Sequence, residues 1–118
     1  MKTIYRLLAA APLVLASAPA FADNFGAIAF SQDNGANGYS YDLGSREEAE
    51  ERALQECGRH CKVVIWFKNA CAALATGEGN AYGTGWASER HEAESIAMSK
   101  CHENGHGCSV ARWACTTR

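Results

Sequence analysis

Glu48-Ala49-Glu50, followed by Ala53 and Cys57, returns 44 residues later as Glu92-Ala93-Glu94, followed by Ala97 and Cys101. After each copy comes a second cysteine and a valine-containing segment that ends in tryptophan. These are Cys61-Lys62-Val63-Val64-Ile65-Trp66 and Cys108-Ser109-Val110-Ala111-Arg112-Trp113. A helix, a cysteine, a strand and a tryptophan are therefore written twice. What repeats is core and staple residues, so the duplication speaks to architecture far more than to chemistry.

Ser45-Arg46-Glu47-Glu48 reads as a capping box, in which the Ser45 hydroxyl and the Glu48 carboxylate satisfy free amides at a helix start. Ala49, Ala53, Leu54 and Cys57 follow at helical spacing, and Gly58 supplies a C-terminal stop. The second helix is expected from about Glu89 to Glu103, capped by Ser88, with Ala93, Ile96, Ala97 and Cys101 on its buried face. Upstream of the first helix, Phe25 to Ser31 and Gly38 to Leu43 read as strands, the latter with Tyr39 and Tyr41 on one face. Asn34-Gly35 and Asn37-Gly38 read as turn dipeptides, since both residue types tolerate positive φ. Val63 to Phe67, Cys71 to Thr76 and Val110 to Ala114 complete the strands, and Gly77 to Gly85 forms a glycine-rich hairpin that meets Trp86.

Each half thus reads hairpin, helix, strand. The expected fold is α+β, with two helices packed on one mainly antiparallel sheet and three disulfides. The expected organisation is a leader over residues 1–22, then a single domain over 23–118 built of repeats at about 24–70 and 71–118. Val64 and Trp66 correspond to Ala111 and Trp113, whereas Ile65 corresponds to Arg112. Strand alternation therefore puts the Trp66 and Trp113 face under the helices, as core, and lets the other face differ between halves.

Lys2 and Arg6, the apolar run from Leu7 to Ala16, and Ala20-Phe21-Ala22 have the form of a cleavable export signal, so the mature chain is expected to begin at Asp23. The apolar run falls short of the roughly 20 residues that span a bilayer. No cysteine lies near the cleavage site to carry a lipid. A periplasmic or secreted protein is expected, without a membrane span. All six cysteines follow the leader, and in an oxidising compartment they read as three disulfides. A domain this small buries only about 60–65% of its unfolded surface and needs such staples. The repeat pairs Cys57 with Cys61 and Cys101 with Cys108, each joining a helix end to the next strand. Cys71 and Cys115 remain, and are expected to tie the two halves together. Without Lys2 and Arg6 the 11 basic residues become 9 against 13 acidic, a net charge of −4 with no basic stripe. Nucleic acid and anionic lipid are poor partners for such a surface.

Motifs with chemical potential resolve into structural ones. Cys101 to Cys108 encloses His102 and His106 and has the residue types of a zinc site, but the cysteines repeat between halves and the histidines do not. A c-type haem would require C-x-x-C-H, which is absent. Asp33 to Gly38 resembles the opening of a calcium loop, yet Gly35 and Gly44 stand where acidic ligands belong. The glycines at 77, 79, 83 and 85 lack the spacing of a phosphate cradle, and no Walker lysine follows. Paired cysteines leave no nucleophilic thiol, and G-x-S-x-G does not occur. His60 lies in a cysteine-bounded loop and His91 in a first helical turn, while Glu47, Glu48, Glu50, Glu51 and Glu56 form a solvated helix face. No catalytic residue, metal ligand or cofactor is assigned.

Tyr39, Tyr41, Tyr82 and Trp86 lie in the hairpins beside the glycine-rich turns and form the candidate partner-binding set. Aromatic side chains so presented are favoured contacts for proteins and sugars.

Phe25-Gly26-Ala27-Ile28-Ala29-Phe30-Ser31, Gly38-Tyr39-Ser40-Tyr41, Ser45-Arg46-x-x-Ala49-Glu50, Cys61 to Cys71 and Gly83-x-Gly85-Trp86 together resemble the bacterial domain-of-unknown-function 4189 family, over nearly the whole chain after the leader. The resemblance implies a small, exported, cysteine-rich bacterial protein and carries no catalytic residues. The expected function is a non-enzymatic, disulfide-stabilised periplasmic or secreted binding protein of the inhibitor or immunity type. Its expected partner is a secreted or cell-wall-directed enzyme, and its expected state is a monomer or weak dimer. The alternatives are an envelope hydrolase and a secreted virulence or host-contact factor.

Overall fold

Two strands, a helix and a strand follow one another twice along the chain. The computed structural model describes residues 23–117, so the expected leader lies outside the described residues. The first set is β1 (Phe25–Phe30), β2 (Asn37–Leu43), α1 (Arg46–Cys57) and β3 (Lys62–Lys68). The second is β4 (Cys71–Thr76), β5 (Tyr82–Ala87), α2 (Arg90–Asn104) and β6 (Ser109–Cys115), with one 3-10 turn at Glu78–Asn80 between β4 and β5. The α+β architecture with antiparallel pairing is present. The one shared sheet expected from the repeat is instead two sheets, ordered β2-β1-β3 and β5-β4-β6. Each half completes its own ladder, because its hairpin and its last strand pair on either side of its first strand.

The first strands explain the layering. Along β1, Ala27 and Ala29 cluster with Ala49, Ala53 and Cys57 of α1, while Ile28 and Phe30 belong to a different cluster. Along β4, Ala73 and Ala75 meet Ala93, Ala97 and Cys101 of α2, and Ala72 and Leu74 turn the other way. Ile28, Phe30, Phe67, Ala72, Leu74 and Ala114 form one joint core between the sheets. The molecule is therefore stacked as α1, sheet, sheet, α2, with small side chains under the helices and large ones between the sheets. The alanine stripes allow very close helix approach. A Cβ added at Gly38 would overlap the Cys57 amide nitrogen, and one at Gly83 the Cys101 amide nitrogen. Asn37-Gly38 thus lies inside β2 and serves helix packing, not a turn; Gly35, at φ 80°, is the turn glycine.

Matched bulges correct the expected strand faces. Ile28 pairs with Ile65 but Ala29 with Val63, leaving Val64 as an extra residue. Leu74 pairs with Arg112 and Ala75 with Val110, leaving Ala111 extra at the equivalent place. An inserted residue breaks the period-two alternation. Val64 and Ile65 both pack against the inter-sheet core, and Trp66 pairs with Ala27 on the helix side. There Trp66 and Trp113 are not core: they are 39% and 41% exposed. Both lie on the outer strands of their sheets. An arginine from the first helical turn covers each ring, Arg46 at 4.5 Å from the centroid of Trp66 and Arg90 at 3.8 Å from that of Trp113. Glu50 and Glu94 hold these arginines through 2.8 Å ion pairs.

The disulfides are Cys57–Cys61, Cys101–Cys108 and Cys71–Cys115. The third does not tie the halves together. Cys71 and Cys115 are facing residues of β4 and β6, within the second sheet. At the equivalent place in the first sheet Phe25 faces Lys68, whose ammonium lies 5.7 Å from the Phe25 ring centroid and 3.1 Å from an Asp23 carboxylate oxygen.

The helix starts differ. Ser45 Oγ accepts a bond from the Glu48 amide at 3.1 Å, and Glu48 Oε1 accepts one from the Gly44 amide at 3.2 Å. In α2 the N-cap is Glu89 with no side-chain capping bond, and the expected cap, Ser88, stands one residue outside. Ser45→Ala is accordingly expected to cost about 1 kcal/mol, whereas Ser88→Ala is expected to change stability within about 0.5 kcal/mol. Urea unfolding of the two variants checks this, and equal losses would contradict the assigned caps.

Candidate functional site

The two sheets face each other with β1 against β4, which leaves β2 beside β6 at one edge and β3 beside β5 at the other. Each edge carries a groove. The first, of about 460 Å³, is lined by Tyr39 and Tyr41 of β2 and by the Ala111–Cys115 stretch of β6. The second, of about 450 Å³, is lined by Val64, Ile65, Trp66, Phe67 and Lys68 of β3 and by Trp86 of β5. Strand register relates them. Tyr39 faces Ile28 as Thr84 faces Leu74, and Ile65 and Arg112 occupy equivalent places on the last strands.

Equivalent places carry different chemistry. In the first groove the Arg112 Nε donates to Asn37 Oδ1 at 2.8 Å and the guanidinium lies 4.5 Å from the Tyr39 ring centroid. Tyr39 in turn stacks on Tyr41, with centroids 6.2 Å apart and planes 9° apart. Just past β6, the Thr117 amide donates to Asp42 Oδ1 at 2.9 Å. Hydrogen bonds thus bridge the two halves across this edge. At the other edge Ile65 replaces Arg112, and Trp86 projects with 62% of its surface exposed, more than any other large apolar side chain among the described residues.

The four aromatic residues expected at a partner surface separate accordingly. Tyr39 and Tyr41 share the first groove and Trp86 lies in the second. Tyr82 packs against the joint core, its ring 5.3 Å from that of Phe30. Trp66 and Trp113 line the grooves as well, although strand alternation had assigned them to the core. The mismatch of Ile65 with Arg112 was the sequence signal for the difference between the edges.

The histidines lie elsewhere and exposed. His106 Nε2 is 2.9 Å from a Glu78 carboxylate oxygen on the surface turn, while His60, His91 and His102 face solvent. Among the described residues no group of three or more His, Cys, Asp or Glu side chains is arranged to hold a metal ion. Among them, too, no helix is long and apolar enough to cross a membrane. Three disulfides point to an oxidising, extracytoplasmic compartment.

The sequence pattern of a domain of unknown function, DUF4189, matches residues 25–115. Protein Rv1269c of Mycobacterium tuberculosis is 39% identical over 95 residues, which cover 80% of this chain and 71% of that protein. The uncharacterized protein Rv1813c of the same species is 34% identical over 93 residues, covering 78% of this chain and 60% of that protein. An NMR structure of Rv1813c superposes with a TM-score of 0.61 at 26% identity, over 96% of this chain and 98% of the solved one.

Proposed function

The chain belongs to the DUF4189 family, and on that premise we propose that it is a non-enzymatic, disulfide-stapled binding protein of the periplasm or the extracellular medium. In this reading it blocks a secreted or cell-wall-directed enzyme. The supporting observation is the position of its exposed large aromatic side chains. Tyr41 and Trp86 lie on the outer strands β2 and β5, one at each edge of the molecule, and are 48% and 62% exposed. Aromatic rings held on a rigid sheet contribute contact area at little cost in conformational entropy, which is how protein-binding surfaces concentrate their affinity. The two-sheet core and the disulfides supply the rigidity.

The test is affinity capture from cell envelope and culture medium, using protein expressed from the full coding sequence into an oxidising compartment. A secreted or wall-directed enzyme is expected to be retained and inhibited. The Tyr41→Ala, Trp86→Ala double variant is expected to lose about 2–4 kcal/mol of that affinity while remaining folded. Degradation of cell-wall material by the purified protein, with no enzyme retained, would overturn the proposal.

A further inference from the structure

The groove between β3 and β5 is more apolar than its counterpart, among the described residues no side-chain hydrogen bond bridges it, and the strand β3 that walls it ends in a lysine at each side. β3 is the outer strand of its sheet, so one side of its backbone has no strand partner. Of its seven residues, Lys-Val-Val-Ile-Trp-Phe-Lys, Val64 to Lys68 line the groove, Phe67 as part of its buried floor, with exposed Trp86 opposite. The two strands walling the groove carry two charged residues, Lys62 and Lys68, one at each end of β3, and both are positive. This contrasts with the rest of the chain, which is acidic overall from residue 23 onward. Lys68 has an ion pair with Asp23, whereas Lys62 has none among the described residues.

An unpaired strand edge recruits another strand, and terminal lysines decide which one. A second copy adding antiparallel along β3 would bring Lys62 of one copy towards the Lys68–Asp23 pair of the other, which offers Lys62 no free acidic partner. A foreign strand with acidic residues at its ends meets Lys62 directly and shares Lys68 with Asp23. Resting on the reading above that the protein binds a protein, we infer that the β3–β5 groove receives an extended segment of its partner as an added strand on β3. That segment is apolar at alternate positions and acidic at both ends. β3 is about 20 Å long at the usual rise per residue, so the acidic groups lie roughly that far apart. Trp86 closes over the apolar body of the segment. The β2–β6 edge is the poorer receiver because Arg112 and Thr117 already bridge it to β2.

The probe is a capped seven-residue peptide in which threonine and valine alternate between two terminal aspartates, which spaces these about 20 Å apart, compared with the same peptide ended by lysines. Both are titrated into the oxidised protein, and backbone amide shifts and tryptophan fluorescence are followed. The aspartate-ended peptide is expected to perturb amides of Lys62–Lys68 and the Trp86 indole, and to bind about tenfold more tightly than its lysine-ended counterpart. Lys62→Glu is expected to narrow or reverse that preference. Trp86→Ala is expected to weaken binding about tenfold with an otherwise unchanged amide spectrum. Perturbation confined to the β6 edge, indifference to the end charges, or no binding of either peptide at millimolar concentration would overturn the assignment. If the peptide tests fail while enzyme capture and inhibition persist, the groove is wrong and the binding function stands. If capture itself gives way to wall degradation, the function is wrong.

Discussion

Replacing Cys71 and Cys115 together by alanine is expected to lower stability by about 4 kcal/mol in the chain-entropy model, the largest loss among the three bonds. The reason is loop length. This bond closes a sequence separation of 44 residues, against 4 for Cys57–Cys61 and 7 for Cys101–Cys108. The same model assigns the two short loops only about 2 and 2.5 kcal/mol. The long loop holds β5, α2 and most of β6, so the bond clasps the first and last strands of the second sheet around everything between them. The first sheet has no such covalent clasp and uses the contacts of Lys68 with Phe25 and Asp23 at the same place. Those contacts are exposed and individually modest. Urea midpoints of the three double-alanine variants would rank the bonds. A Cys71/Cys115 variant no less stable than the Cys57/Cys61 variant would contradict the entropic account.

Phe30→Ala and Leu74→Ala are each expected to cost about 3–5 kcal/mol, because both side chains fill the space between the sheets and leave a cavity when truncated. Phe30 is 2% exposed and Leu74 is fully buried. Trp66→Ala and Trp113→Ala are expected to cost only about 1–2 kcal/mol each, despite the larger side chains. Their rings keep close to two-fifths of their surface in solvent and are covered on one side by an arginine. Thermal and urea unfolding of the four variants decides the matter. Tryptophan variants that melt as early as Leu74→Ala would mean that the edge strands are more deeply buried than the present architecture allows.

Local chemistry made part of this structure legible. The capping box at Ser45, the alanine and cysteine stripes at i, i+4 and i+8, and the β-branched run at Val63 to Ile65 each specify an element by short-range rules. The bonds Cys57–Cys61 and Cys101–Cys108 follow from the same local order, since each spans one helix end and the start of one strand. The aromatic surface was legible only in part, because Tyr41 and Trp86 are exposed while Tyr82 sits against Phe30.

By itself, then, the sequence determined the two hairpin-helix-strand units, their helix faces and their short-range staples, because those depend on residues a few positions apart. Only the tertiary structure decided that the units form two facing sheets, that Cys71 and Cys115 meet within one of them, and that the tryptophans lie at the edges. Those outcomes depend on register between strands distant in sequence. A single extra residue at Val64 and another at Ala111 shift that register and end the simple alternation from which the faces were read. The same long-range pairing set Arg112 against Asn37 at one edge and left Ile65 beside Trp86 at the other, which is why one groove is bridged and the other is open.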